Sequence, residues 1–165
     1  MVFQWMVHSN QIHIDTNEKK KNLSSKLATI NFFKLISKNL VAGDVIFLHG
    51  ALGVGKTFCS SVIIKELTGA SLVTSPTFNL VQTYFVKNKL EIWHCDFYRL
   101  NHPQEVNEIG VFDNTNEKII LIEWPKFTDI FYLNPLIIEI EFGMKNNERS
   151  FNFTLSPEWD KRITF

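Results

Sequence analysis

Apolar positions fall into short runs whose spacing changes along the chain. From Thr29 to Leu40 the residues Ile30, Phe33, Ile36 and Leu40 recur at helical spacing, with Thr29 placed to cap that helix. VAGD at 41–44 reads as a turn, and Val45–Leu48 as a short buried strand. A glycine-rich stretch then leads into a second helical segment, Lys56–Leu67, closed by Thr68 and Gly69. SPTF at 75–78 reads as a loop. Asn79–Val86 and Leu90–Phe97 are apolar-rich arms around Lys87, Asn88 and Lys89, which predicts a β-hairpin. By the period of two, Leu90, Ile92, His94 and Asp96 share one face of its second arm. Pro103 opens a short helix to Ile109. KIILI at 118–122 is a buried-type strand, and Leu136–Phe142 and Ser150–Leu155 flank KNNER as a second hairpin. Strand, helix and hairpins together predict an α/β domain with a mixed sheet. Residues 1–21 are an extension or a strand; within them EKKK at 18–21 reads as a solvated segment, with a basic nucleic-acid patch as the alternative.

Composition narrows the class without naming a chemistry. The 165 residues suit one domain with a single core, so one domain over 1–165 is expected. At 45% hydrophobic and 21% charged, the chain reads as soluble and globular. Lys+Arg and Asp+Glu both number 17, so bulk charge gives nucleic-acid binding no support. No apolar stretch approaches the ~18 residues of a membrane span. The start MVFQWMVHSNQIHID lacks a charged beginning and is a poor match to a leader peptide. Cys59 and Cys95 make no disulfide framework and read as buried free thiols, which points to a reducing, cytoplasmic setting.

Candidate chemistry concentrates at GALGVGKT, residues 50–57. Gly50, Gly55, Lys56 and Thr57 fit G-x-x-x-x-G-K-[ST] without a mismatch, and the pattern counts because a strand precedes it and a helix follows. Glycines let the backbone curl so that the N–H groups of Leu52, Gly53, Val54, Gly55, Lys56, Thr57 and Phe58 converge on phosphate charge. The helix opening at Lys56 adds the positive end of its dipole. Lys56 brings a point charge to the outer phosphates, and the Thr57 hydroxyl is suited to Mg2+. The competing explanation, a glycine turn between a core strand and a helix, does not account for Lys-Thr in register.

Such a loop needs a carboxylate beside it to hold Mg2+ and place water. Glu123 qualifies because KIILI delivers it to the carboxyl edge of the sheet; its alternative is a charge at the start of a helix in WPKF. Asp96 in HCDFYR also qualifies, and its alternative is a salt bridge with Arg99. Thr77 is either a switch residue sensing phosphate and metal or the first residue of a strand after the Ser75-Pro76 turn. His94 reads as a structural histidine and Trp124 as packing. Nothing resembles a Ser-His-Asp triad or a zinc site.

GALGVGKT, SPTF followed by NLVQTY, HCDFYRL and IEWP occur in that order. In that combination the chain, from about Thr29 onward, resembles the TsaE (YjeE) family of small bacterial P-loop ATPases of tRNA threonylcarbamoyladenosine synthesis. The P-loop is generic to many NTPases; SPTF, H-x-D-x-Y-R and IEWP at these spacings are far more specific. The resemblance implies a P-loop NTPase fold with a mixed parallel and antiparallel sheet flanked by helices. It implies ATP and Mg2+ as ligands, slow turnover by the isolated protein, and TsaD and TsaB as partners that perform the transfer to tRNA. It also implies roles: Lys56 and Thr57 in the P-loop, Thr57 and Glu123 on Mg2+, Thr77 as switch, and Asp96 in hydrolysis. Thr29 would touch the nucleotide, and Trp124 would stand beside the site. The chain departs from the family pattern at Ala51 and Lys126, where acidic residues are usual, and at Phe33, where a glycine is expected.

Overall fold

In the computed structural model, residues 16–86, 90–126 and 133–165 are described. The strands are β1 (Asn17–Leu23), β2 (Val45–Gly50), β3 (Val81–Phe85), β4 (Glu91–Asp96), β5 (Lys118–Glu123), β6 (Leu136–Phe142) and β7 (Arg149–Leu155). The helices are α1 (Lys26–Ser37), α2 (Lys56–Thr68), α3 (Pro103–Ile109) and α4 (Pro157–Arg162). The strands form one sheet in the order β1-β7-β6-β2-β5-β4-β3. Within it β6, β2, β5 and β4 run parallel, β7 and β1 extend one side antiparallel, and β3 closes the other.

The parallel strands are apolar at nearly every position because both of their faces are covered. Ile46, Leu48, Ile92 and Leu121 pack with Phe32, Phe33 and Ile36 of α1 and Cys59, Ile63 and Ile64 of α2. Val45, Phe47, Ile120 and Ile122 pack on the opposite face with Val106 of α3. Phenylalanine thickens the first layer: Phe33, where the family pattern expects glycine, lies 5.5 Å from the Phe151 ring. The parallel arrangement brings the carboxyl ends of β2, β5 and β4 to one edge, which is where GALGVGKT, HCDFYRL and IEWP meet.

Several predicted boundaries differ from the structure; α1 ends at Ser37 rather than Leu40, and β2 runs on to Gly50. The N-cap of α1 is Ser25, one turn before Thr29, and its hydroxyl accepts from the Ala28 N–H at 3.1 Å. Serine in an extended conformation is the stronger cap. Residues 18–21 are not simply a solvated segment but part of β1, an edge strand. The Lys19 and Lys21 ammoniums sit over the Phe165 and Phe32 rings, both at 4.9 Å, so aliphatic stems cover apolar surface while charge keeps the edge polar. The first hairpin arm starts at Val81 rather than Asn79, because Leu80 turns through φ 63°. The hairpin itself forms, Val81 pairing with Cys95 and Phe85 with Glu91. Its turn at Lys87, Asn88 and Lys89 lies outside the described residues, as does the start of the chain read against a leader peptide.

Candidate functional site

The loop between β2 and α2 is shaped by its glycines. A Cβ on Gly50 would stand 2.4 Å from the Ile140 carbonyl oxygen, so only glycine lets the loop lie against β6. Gly53 and Gly55 turn through φ 74° and 119°, conformations that L side chains rarely adopt. Gly55 is the N-cap of α2 and offers no side-chain cap. As a result the N–H groups of Gly53, Gly55, Lys56, Thr57 and Phe58 have no hydrogen-bond partner among the described residues. A helix start left uncapped beneath a curl of free N–H groups is a nest suited to an anion.

Glu123 closes the site from β5. It is the last residue of that strand, aligned between Leu48 of β2 and Asp96 of β4. Its carboxylate is buried and held at both oxygens. Thr57 Oγ1 donates to Oε2 at 2.8 Å, and His94 Nε2 lies 2.7 Å from Oε1. Because the Thr57 proton points to Glu123, the hydroxyl lone pairs face away from it, which suits a cation. Asp96 is likewise held at both oxygens, by the Thr77 hydroxyl at 2.5 Å and the Tyr98 N–H at 2.9 Å. Two buried carboxylates on adjacent strands repel, and the ammonium of Lys56 offsets that. Burial pushes the Lys56 amine below the usual lysine range, while Glu123 and Asp96 pull partly back. Burial, helped by the Lys56 charge, pushes His49 down to about 4.

Lys56 Nζ donates to the Gly50 and Ala51 carbonyls at 2.8 and 2.9 Å and lies 3.8 Å above the Trp124 ring centre. Trp124 sits in the left-handed region at φ 53°, a strained choice for an aromatic residue that turns its indole across the loop. The ring packs against Tyr98 at 5.0 Å, and Lys126 donates to the Tyr98 carbonyl at 2.5 Å. From behind, Arg149 of β7 donates through Nε to the Val54 carbonyl at 2.8 Å and fixes the outer side of the loop.

Comparison with known proteins places this geometry in a lineage. Residues 23–151 match the family model described as threonylcarbamoyl adenosine biosynthesis protein TsaE. The chain belongs to the TsaE family. The tRNA threonylcarbamoyladenosine biosynthesis protein TsaE of Rickettsia prowazekii (strain Madrid E) is 41% identical over 128 residues, 77% of this chain and 88% of that one. The corresponding protein of Nostoc sp. (strain PCC 7120 / SAG 25.82 / UTEX 2576) is 34% identical over 143 residues, 81% of this chain and 87% of its own. A crystal structure of Bacillus subtilis YdiB superposes with a TM-score of 0.68 at 23% identity, covering 89% of this chain and 92% of that one, so it shares the fold. The expected α/β P-loop fold with a mixed sheet is therefore the observed one.

Within this TsaE-family fold, hydrogen bonds and strand register join Thr57, Glu123, Asp96 and Thr77 into one cluster, with Lys56 and Trp124 stacked beside it. Thr29 is different. It is buried in α1, its hydroxyl donates to the Ser25 carbonyl at 3.1 Å, and among the described residues no hydrogen bond joins it to the loop. The structure also places the residues for which local alternatives stand open. Arg99 makes no ion pair with Asp96 among the described residues and lies 4.3 Å from the Phe78 ring centre instead. Thr77 belongs to the turn before β3, and Glu123 to β5 rather than to a helix start. Sequence reasoning missed Arg149 altogether and read His94 as structural only. Both act across long separations that no local pattern announces. The two cysteines are buried free thiols, and burial pushes both pKa values up, so neither contributes a nucleophile.

Proposed function

We propose that the chain binds ATP with Mg2+ on loop 50–57 and hydrolyses it, as the ATPase component of tRNA threonylcarbamoyladenosine modification working with TsaD and TsaB in the cytoplasm. The observation that carries this is the set of N–H groups of Gly53, Gly55, Lys56, Thr57 and Phe58 that have no hydrogen-bond partner among the described residues, set beside the Thr57–Glu123 bond. Those N–H groups, with Leu52 and Val54 shaping the curl, bind the polyphosphate. Lys56 leaves the Gly50 and Ala51 carbonyls to meet the outer phosphates. Thr57 and Glu123 would hold Mg2+, which supplies charge that offsets the phosphate oxygens as the bond to the leaving group breaks. Asp96 orients the attacking water, and Thr77, resting on Asp96, serves as the switch that senses phosphate. Trp124 flanks the phosphates and Thr29 the rest of the nucleotide. tRNA is engaged through the partner complex.

The arginines fit a hydrolase better than a kinase, which usually closes an arginine-rich lid over its acceptor. Arg149 is tied to the Val54 carbonyl, Arg162 to Asp44, and Arg99 covers Phe78. Phosphate release from ATP without any acceptor tests the proposal. Slow release that rises when TsaD and TsaB are added is expected. Phosphate transfer to a nucleoside, with none released to water, contradicts it.

A further inference from the structure

The buried histidine beside the carboxylates has no explanation in packing. His94 lies on β4 two residues before Asp96, on the same strand face, and opposite Leu121 of β5. It is wholly buried, its Nε2 lies 2.7 Å from Glu123 Oε1, and its Nδ1 has no hydrogen-bond partner among the described residues. A buried ring with one nitrogen unpaired costs free energy that an apolar side chain would avoid. Ile92, Ile119 and Leu121 show that this layer takes aliphatic residues readily. The bond to Glu123 is what the histidine adds.

We propose that His94 is a positioning residue for Glu123, setting the carboxylate so that Thr57 stays aimed at the metal. The proposal rests on the Mg2+–ATP reading above. A carboxylate oxygen accepts, so Nε2 donates to it, and Nδ1 is left without a partner among the described residues. With Thr57 on Oε2 and His94 on Oε1, rotation of the carboxylate about its last torsion is blocked. Without His94, one oxygen is free and the neighbouring Lys56 ammonium attracts the group away from Thr57. Glu123 then orients the Thr57 hydroxyl poorly, and metal affinity falls while the N–H nest is untouched. Removal of such supporting partners commonly weakens metal affinity by about 10- to 100-fold.

The test uses the full chain and three variants, His94→Leu, His94→Gln and His94→Asn. Mn2+ affinity of the complex with an ATP analogue is read by electron paramagnetic resonance, and nucleotide affinity is measured separately in chelator. Glutamine carries its amide nitrogen to about the place of Nε2, whereas asparagine stops near Nδ1 and cannot reach Glu123. His94→Gln is expected to keep Mn2+ affinity within about threefold of wild type, and His94→Asn and His94→Leu to lose about tenfold or more. Chelated nucleotide affinity is expected to stay within about twofold in all three, because the N–H nest is unchanged. Equal Mn2+ affinity for His94→Asn and wild type overturns the proposal, as does a His94→Gln as impaired as His94→Asn. If His94→Leu does not fold, the glutamine–asparagine contrast decides; if none of the three folds, His94 is a core residue and the proposal is wrong. A wild-type chain that binds neither nucleotide nor Mn2+ overturns the ATP reading itself, an outcome distinct from one in which only the variants fail to differ.

Discussion

Lys56 in this structure is satisfied by the Gly50 and Ala51 carbonyls and the face of Trp124, and a polyphosphate would replace all three contacts. Lys56→Ala removes a charged donor from a partly buried site, so ATP affinity is expected to fall by about 1.5–3 kcal/mol, roughly 10- to 150-fold. Titration calorimetry checks this, and unchanged affinity contradicts the assignment. His49 yields a pH prediction. Its ordinary value is 6.5, and in the folded chain it sits at about 4, so between these the unfolded chain binds more protons. Stability due to His49 is thus complete above about pH 6.5 and is lost as the pH falls toward 4. Thermal melts across that window should show a shallower slope for His49→Gln than for wild type; parallel slopes would contradict the burial argument. At this scale the site was mostly legible. Lys56, Thr57, Glu123 and Asp96 carry spacing or strand-end signals and Thr77 only the SPTF resemblance, whereas the bond between His94 and Glu123 depends on the parallel register of β4 and β5, which no residue announces.

Elements place the loop as much as its own residues do. The β6–β7 hairpin supports it twice, through the Ile140 carbonyl under Gly50 and through Arg149 on the Val54 carbonyl. Gly50→Ala forces a Cβ against Ile140 at a backbone angle of 135°, and it is expected to destabilise the fold by at least the ~1–3 kcal/mol of a strained residue. A melting temperature equal to wild type would contradict this. Arg149→Met keeps the aliphatic stem and drops the guanidinium. Its expected effect is a loosened loop, with ATP affinity reduced by about tenfold and the fold retained, as seen by calorimetry beside circular dichroism. α2 and α3 were predicted almost to the residue, because Gly69 and Pro103 punctuate them. α1 is predicted one turn late because Thr29 reads as its cap, whereas Ser25, four residues earlier, caps it. For residues 1–21 an extension and a strand both stand open, because three lysines on an edge strand look like a solvated tail; residues 17–21 belong to the strand β1.

Across the molecule, one sheet with a helix layer on each face brings three strand ends together, and the chemistry collects at that edge. Stability rests on the aromatic layer under α1. Phe33 is wholly buried between Phe32 and Phe151, and Phe33→Ala is expected to cost about 3–5 kcal/mol in denaturant unfolding. Among the described residues no helix is long and apolar enough to cross a membrane. Strand order was beyond sequence reasoning: it requires β2 to sit between β6 and β5, pairings separated by long stretches of chain. The central claim is that a polyphosphate sits on the free N–H groups of loop 50–57. Hydrogen–deuterium exchange of the peptide spanning these residues, with and without a non-hydrolysable ATP analogue and Mg2+, reads those groups directly. Slowed exchange from Gly53 to Phe58 is predicted. Unchanged exchange there under saturating ligand, with protection appearing elsewhere, would contradict it.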